Sequence, residues 1–312
     1  MRKKQKLLFS LILLAVLVVS GSLMGLFDAM HLGVSFFEEK VHTVSISDEE
    51  DLLATLDSFY NNIYYLEDDI IINDVSALAS RERPFIGTFD GRGHTITFSG
   101  KTSESLFGYI GEGGVVKNLH VQVAGATFDE KLGAILALEN AGQILNCKVT
   151  LENSTVSAKG SFGGLVAINR GIIKNVVVEA SMTKRLLASE EQNTRQLVTG
   201  AICGYNYGEI FSSVASIQYK NFTEADKNAV FENGQSNNTI GAVYGINNRT
   251  NGISQCTALV EDTLYPSDLR EKAITFVLDA AEVYNETYVF MNLGFDEDRW
   301  ILRDNALDLI GD

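Results

Sequence analysis

Five segments in the middle of the chain share one spacing of apolar residues. Their first residues lie 28, 29, 37 and 43 residues apart, and apolar side chains stand two, seven and nine places after each of them. This alternation predicts strands with one buried face. Because the columns recur, we expect each strand to stack in parallel on its counterpart in the next repeat, as in a parallel β-helix. The segments are GVVKNLHVQV from Gly114, GQILNCKVTL from Gly142, GIIKNVVVEA from Gly171, GEIFSSVASI from Gly208 and NGISQCTALV from Asn251.

A shorter half-repeat precedes four of these segments and completes the periodic unit. With SLFGYIGEG from Ser105 as a worn first copy, it predicts stacked rungs over residues 105–262. Pro84 and Pro266 flank this block, as expected where every rung must donate backbone N–H groups. The half-repeats are GAILALEN from Gly133, GGLVAIN from Gly163, GAICGYN from Gly200 and GAVYGIN from Gly241.

One column of the long repeat is polar. Four places after each first residue stands Asn, Ser or Gln. Amides in a column at a strand end favour a ladder in which each side chain hydrogen-bonds to those above and below. We therefore predict a structural ladder of Asn118, Asn146, Asn175, Ser212 and Gln255.

The flanking segments divide into an apolar N-terminal stretch, a linker and two caps. Residues 7–27 are uncharged, follow four basic residues, and would span about 31 Å as a helix, enough to cross a bilayer. We interpret residues 1–27 as a transmembrane signal-anchor helix or, alternatively, a cleaved signal peptide. Residues 28–42 form a linker, and residues 43–104 an N-terminal cap with the first rungs. A capping box at 47–50 predicts a short helix there, and residues 263–312 form a C-terminal cap that closes the last rung.

The half-repeats also carry a family resemblance. GGLVAIN from Gly163 and its sister copies, each followed by G-x-I-x-N or a close variant, resemble the GLUG-type repeats of bacterial surface proteins. Residues 66–73 and 85–96, and the tail around Phe295 and Trp300, are similar to the segments that flank those repeats, so the resemblance covers residues 43–310. It implies a right-handed parallel β-helix at a bacterial cell surface, as in adhesin-like proteins and beside the catalytic region of immunoglobulin-cleaving metallopeptidases. It implies no catalytic residues.

The net charge and the cysteines argue against a nucleic-acid partner, a metal site and a disulfide. The net charge is −15, which argues against nucleic acid as a partner because phosphate binding needs a basic surface. Three cysteines without a C-x-x-C motif predict no metal site and no cofactor. Cys147 and Cys256 share a column but stand three rungs apart, about 14 Å, so we expect no disulfide.

No catalytic residue is predicted. The four histidines are too scattered for a zinc-peptidase motif, and no G-x-S-x-G nucleophile motif occurs. The outward positions of the repeated strand include no stacked acid pair, since Glu152 and Glu179 fall in different columns.

Two insertions interrupt the repeat, at 183–196 and about 220–238. Loops on a rigid scaffold commonly carry binding residues. The candidate binding residues in these loops are Arg185, Arg195, Phe222 and Phe231.

The sequence thus predicts an all-β, extracytoplasmic surface protein without enzymatic activity. It would be anchored in the membrane through residues 7–27, or secreted if that segment is cleaved. Its function would be adhesion, or binding of a glycan or a host or cell-surface protein. Two alternatives remain open: a polysaccharide lyase or glycosidase on the same fold, and a structural subunit of a surface assembly. A stacked outward cluster of Asp, Glu and Arg would favour the enzyme.

Overall fold

The computed structural model describes residues 41–55, 61–73, 77–99, 104–128, 132–156, 161–185, 198–219, 239–260, 283–304 and 306–311. The apolar stretch 7–27 lies outside these ranges, as do most of both insertions and residues 261–282. Within the described ranges, no helix is long and apolar enough to cross a membrane.

The fold of the described residues is all-β, and its long sheets are parallel. The largest, which we call the main sheet, has two limbs. The upstream limb contains β1 (Thr43–Ile46), β2 (Ile63–Leu66), β4 (Thr88–Asp90), β7 (Val115–Lys117), β12 (Gln143–Leu145) and β16 (Ile172–Lys174). The downstream limb contains β3 (Ile70–Ile72), β5 (Thr95–Phe98), β8 (His120–Ala124), β13 (Lys148–Val156) and β17 (Val177–Arg185), with β9 (Thr127–Phe128) beside β13. The strands β20 (Glu209–Tyr219) and β23 (Ile253–Val260) run through both limbs.

Two smaller parallel sheets complete each repeat. The second sheet contains β6 (Phe107–Ile110), β11 (Ala137–Asn140), β15 (Val166–Asn169), β19 (Cys203–Asn206) and β22 (Tyr244–Asn247). The third sheet contains β10 (Leu132–Ala134), β14 (Ser161–Gly163), β18 (Val198–Gly200) and β21 (Thr239–Ile240). Along the chain, a repeat passes through the third sheet, the second sheet, the upstream limb and then the downstream limb.

The register between strands matches the columns of the sequence repeat. Val116 pairs with Ile144, and Ile144 pairs with Ile173. The same column continues through Ile210 to Ile253. The first four of these residues are fully buried, so the column forms a continuous apolar row inside the fold. The prediction of parallel strands stacked in register is therefore confirmed.

A backbone bend separates the two limbs at the predicted polar column. All five residues there adopt the left-handed conformation, with φ between 50° and 53°. Asparagine is enriched among the few non-glycine residues that tolerate this conformation. The bend itself therefore accounts for asparagine at this column. The five residues are Asn118, Asn146, Asn175, Ser212 and Gln255.

Side-chain hydrogen bonds in this column do not form the continuous ladder that the sequence predicts. Asn118 Nδ2 donates to Asp90 Oδ1 at 2.9 Å, and Asn146 Nδ2 donates to Asn118 Oδ1 at 3.3 Å. The series of side-chain hydrogen bonds ends at Asn146, because the buried Oδ1 of Asn175 has no hydrogen-bond partner. Gln255 Nε2 donates to a backbone carbonyl outside the column.

A continuous amide ladder lies instead at the end of the second-sheet strands. Asn140 Nδ2 donates to Asn169 Oδ1 at 2.9 Å, Asn169 Nδ2 to Asn206 Oδ1 at 2.8 Å, and Asn206 Nδ2 to Asn247 Oδ1 at 2.9 Å. The first three residues are fully buried, and each Oδ1 also accepts the backbone N–H two residues later. These are the asparagines that end each half-repeat, so the predicted type of ladder exists in the other half of the repeat.

The N-terminal cap contains one short helix, α1 (Glu49–Ala54). Its N-cap is Asp48, whose side chain accepts the N–H of Asp51 at 2.9 Å, while the Asp51 carboxylate accepts the N–H of Ser47 at 3.0 Å. The cap therefore lies one residue later than the capping box at 47–50 predicts. Leu52 is buried in the main core, which anchors the helix beside the first strands.

The described C-terminal residues pack on the outer face of the downstream limb. We call residues 283–304 and 306–311 the clasp. It contains a π-helical turn (Thr287–Asn292) and an antiparallel hairpin of β24 (Trp300–Arg303) and β25 (Ala306–Leu309). Val289, Trp300 and Leu307 form an apolar cluster with Val177 and Val214 of the limb. This part of the predicted C-terminal cap therefore covers the side of the main sheet.

The clasp runs along the limb from its last strand towards its first ones. Near its start, Tyr288 Oη and Thr257 Oγ1 of β23 lie 2.6 Å apart. At its other end it meets Gly93, in the turn before β5. Gly93 has φ of +85°, and a Cβ there would lie 2.5 Å from the carbonyl oxygen of Ile310. Only glycine fits this approach without strain.

The amide ladder predicts a position-dependent loss of stability. Asn169→Ala removes the acceptor of Asn140 Nδ2 and of the Gly171 N–H, and one of the two donors to Asn206 Oδ1. We therefore expect the free energy of unfolding to fall by about 1–3 kcal/mol. The control is Asn247→Ala at the half-exposed end of the ladder, which should cost less. Urea denaturation of both variants measures the difference. Equal losses, or a stable Asn169→Ala, would show that the ladder does not stabilise the stack.

Candidate functional site

None of the four loop residues predicted to bind a partner has a described side chain. Arg185 is the last residue of β17, where the structure describes only its backbone. Arg195, Phe222 and Phe231 lie outside the described residues. A binding role for these loops stays a prediction.

A buried lysine joins the clasp to the main sheet. Lys148 Nζ donates to Asp308 Oδ1 at 2.8 Å and to the carbonyl oxygen of Leu307 at 3.0 Å. Glu179 Oε2, one rung away on the limb, lies 3.4 Å from the same ammonium group. The side chain of Lys148 is only 7% exposed, so these groups replace the water that it loses on burial.

A histidine packs beside this ion cluster. The ring nitrogens of His120 lie 3.3 Å from Thr95 Oγ1 and 3.0 Å from Thr150 Oγ1. Burial, together with the charge of Lys148, lowers the pKa of His120 to about 4. The imidazole is therefore neutral at physiological pH.

Two carboxylates and two thiols near the main sheet are paired or buried. Glu179 and Asp308 both bind the ammonium group of Lys148. Burial raises the pKa of the Cys147 and Cys256 thiols to about 12, which keeps them protonated. All three cysteines are free and buried. Among the described residues, no group of three or more His, Cys, Asp or Glu is placed to hold a metal ion.

The outer face of the upstream limb, with the adjoining corner of the second sheet, carries a different set of side chains. We call it the open face. Its outward residues are half-buried or exposed and mix aromatic, aliphatic and charged types. They include Tyr65, Lys117, Leu145, Arg170, Ile172, Lys174, Tyr205, Tyr207, Glu209 and Phe211.

Cations on this side of the molecule lie over aromatic rings. Such contacts are favourable because the ring face carries partial negative charge. They also hold long side chains in fixed positions. The charged group is 3.6 Å from the ring centroid for Arg92 over Tyr65, 4.7 Å for Arg170 over Tyr207, 5.6 Å for Lys174 over Phe211 and 5.8 Å for Arg81 over Tyr109.

The Arg170 contact extends into a small stack. The rings of Tyr205 and Tyr207 lie 6.4 Å apart with an interplanar angle of 18°. Partial burial, with Tyr207 as a neighbour, raises the pKa of Tyr205. Tyr207 is 41% exposed, so the stack lies at the surface and presents the guanidinium group of Arg170 to solvent.

Sequence reasoning missed the open face, although the repeat contained its signal. The outward residues singled out from the sequence, Glu152 and Glu179, both belong to the downstream strand. The same alternation places Lys117, Lys174 and Phe211 outward, three places after their repeat starts. Arg170 and Tyr207 each stand immediately before a repeat start, at the corner that leads into the upstream limb.

Comparison with known proteins gives a fold and one partial sequence match. No protein-family profile matches the chain. Over 136 residues, 42% of its length, the chain is 28% identical to halomucin of Haloquadratum walsbyi, and the match spans only 1% of that protein. The fold is similar to the crystal structure of a candidate immunoglobulin A1 protease from Bacteroides ovatus, with a TM-score of 0.53, 16% identity, and coverage of 85% of this chain and 91% of that one. At this identity the likeness shows the fold alone.

The buried ion cluster predicts that Lys148 holds the clasp in place. Lys148→Met removes the cation that the Glu179 and Asp308 carboxylates share, and we expect about 2–4 kcal/mol lower free energy of unfolding. Limited proteolysis should then cut the clasp first. The control is Lys174→Met on the open face. Removal of this solvent-facing cation should lower the free energy of unfolding by less than about 1 kcal/mol. A Lys148→Met protein as stable and protease-resistant as the wild type would contradict this role.

The neutral His120 predicts a pH dependence of stability. Its folded pKa of about 4 lies below the ordinary value of 6.5, so between these values the unfolded chain binds the extra proton. The free energy of unfolding should therefore fall as the pH drops from about 6.5 to 4. Because Asp69, Asp308 and Lys148 also face this ring, the test is the difference between the wild type and His120→Gln in urea denaturation over this range. The variant should show a flatter slope, and the exposed-site control His42→Gln should not. Parallel slopes for all three proteins would refute the assignment.

Proposed function

We propose that this chain is an extracytoplasmic binding protein without enzymatic activity, built on a right-handed parallel β-helix of the GLUG-repeat type. Its in-register parallel sheets and its fold likeness to the Bacteroides ovatus protein support the architecture. The repeat pattern of the half-repeats supports the family. The ligand would be a glycan or a host or cell-surface protein.

The open face is the observation that carries this proposal. In a chain of net charge −15, this face combines the exposed Tyr207 with cations that are held over rings. Tyrosine and arginine are enriched at the energetic centres of binding surfaces because each buries a large area and still makes polar contacts. The downstream limb, by contrast, is covered by the clasp around Val177 and Val214. The open face is therefore the sheet surface best suited to a ligand.

The proposed location is outside the cytoplasm, with the chain anchored through residues 7–27 or secreted after their removal. The basic residues before this apolar stretch favour a cytoplasmic N-terminus with the bulk of the chain on the other side of the membrane. The partial match to a protein named halomucin is in keeping with an extracellular setting.

The experiment is a combined binding and cleavage screen. The full-length protein, kept in detergent, is tested against arrays of polysaccharides and of matrix and cell-surface proteins, and products are followed by mass spectrometry. We expect binding without turnover. Tyr207→Ala with Phe211→Ala should weaken the binding at least tenfold, since loss of central aromatic contacts costs more than about 1.4 kcal/mol.

The matched control is Met291→Ala in the clasp, which removes an exposed apolar side chain from a different surface and should leave binding unchanged. Cleavage of any array member would overturn the proposal in favour of an enzyme. Binding that survives the open-face variant would show that another surface, such as the two insertions, binds the ligand.

A further inference from the structure

Arg170 and Lys174 are neighbouring cations of the open face that have no carboxylate partner among the described residues. Elsewhere on this face, Lys117 Nζ lies 3.0 Å from Asp90 Oδ2, and Arg81 and Arg249 pair with Glu139 and Glu209. Arg170 and Lys174 make only contacts with rings.

These two cations are fixed in position rather than free. Arg170 lies over Tyr207, which is stacked on Tyr205. Lys174 lies over Phe211, its direct partner in the strand register of the next rung. A side chain already held in place loses less conformational entropy when a ligand arrives. Both positive groups are therefore prepared to bind anions.

Their spacing defines the shape of the ligand. Arg170 stands at the bend before β16, and Lys174 ends that strand four residues later, so their backbones lie no more than about 13 Å apart. Between them stands half-buried Ile172, and on the next rung stands Glu209, which is paired with Arg249. A ligand that reaches both cations must carry separated negative groups on an otherwise uncharged chain.

We infer that this patch of Arg170, Lys174, Tyr207 and Phe211 binds an acidic polysaccharide laid along the strand direction. Carboxylate or sulfate groups would bind the two cations, Arg170 with two parallel N–H bonds. The sugar rings between them would cross the apolar surface at Ile172. This inference rests on the proposed binding function and names its ligand class.

The patch suits a polysaccharide better than other polyanions. Nucleic acid carries a phosphate at every residue, and its affinity depends on neutralising several of them against a protein that is itself strongly acidic. An extended peptide gains most of its affinity from main-chain hydrogen bonds at a sheet edge. The patch is a sheet face, whose backbone groups are already bonded between rungs, so a peptide main chain would find no partners there.

The test measures binding of the full-length protein to defined polymers by surface plasmon resonance. The probes are hyaluronan for carboxylates, heparin for sulfates, dextran as a neutral glycan, polyglutamate as an acidic peptide, and single-stranded DNA. We expect hyaluronan or heparin to bind more tightly than dextran, polyglutamate and DNA, with an affinity that falls as salt is raised. The stronger of the two identifies the acidic group.

The variant Arg170→Gln with Lys174→Gln should weaken acidic-glycan binding about tenfold for each cation removed. The control, Arg299→Gln with Arg303→Gln in the clasp, removes the same total charge from a different surface and should leave binding within about twofold. Because all four sites are at the surface, circular dichroism and the urea midpoint should stay unchanged and exclude misfolding.

The remaining outcomes separate the inference from the proposed function. If dextran binds as well as the acidic glycans, and binding survives the Arg170 and Lys174 variant, the acidic-ligand inference fails while the binding function stands. Equal binding of polyglutamate or DNA also overturns the polysaccharide assignment. If no polymer binds and the protein array is also negative, both the inference and the proposed function fail.

Discussion

The stacking of each repeat on the next, in register, is the constraint on which the rest of the structure depends. Backbone hydrogen bonds between parallel strands place every residue beside the residue at the same position of the next rung. A column that is buried in one rung is therefore also buried in the other interior rungs, as the fully buried row from Val116 to Ile210 shows. A polar group in such a column can find its partner in the same column, as the amide ladder from Asn140 to Asn247 shows.

The outward side chains of the two limbs of the main sheet lie in different environments. On the downstream limb, apolar outward residues such as Val177 and Val214 are removed from water by the clasp. This cover brings Lys148 into the interior, where Asp308 and Glu179 compensate its charge. On the upstream limb, the cations of the open face instead remain near water and lie over aromatic rings. Covering one face thus requires an ion cluster, whereas the other face can keep its charges available.

The repeat made the parallel stacking and the register predictable, because columns depend only on spacing along the chain. It did not distinguish the two kinds of asparagine column. Asn146 occupies a bend that favours asparagine for its backbone conformation. Asn169 instead stabilises the stack through its amide hydrogen bonds. In the sequence, both columns show the same feature, an asparagine that recurs once in each repeat. The clasp was unpredictable for another reason: it is not part of the repeat, and its contact between Lys148 and Asp308 joins residues 160 positions apart. The open face could have been found by applying the same alternation to the first strand of each repeat.

The clasp changes how the array should respond to local damage. In a simple stack of repeats, each unit touches only its neighbours, so stability behaves as a chain of nearest-neighbour terms and the ends can fray separately. Here one segment touches Thr257 in the last strand of the main sheet and Gly93 near its beginning, so repeats that are not adjacent share a common partner. Fraying at either end then also loosens the attachment at the other. The clasp thereby converts a one-dimensional array into a single cooperative unit, whose repeats should unfold together.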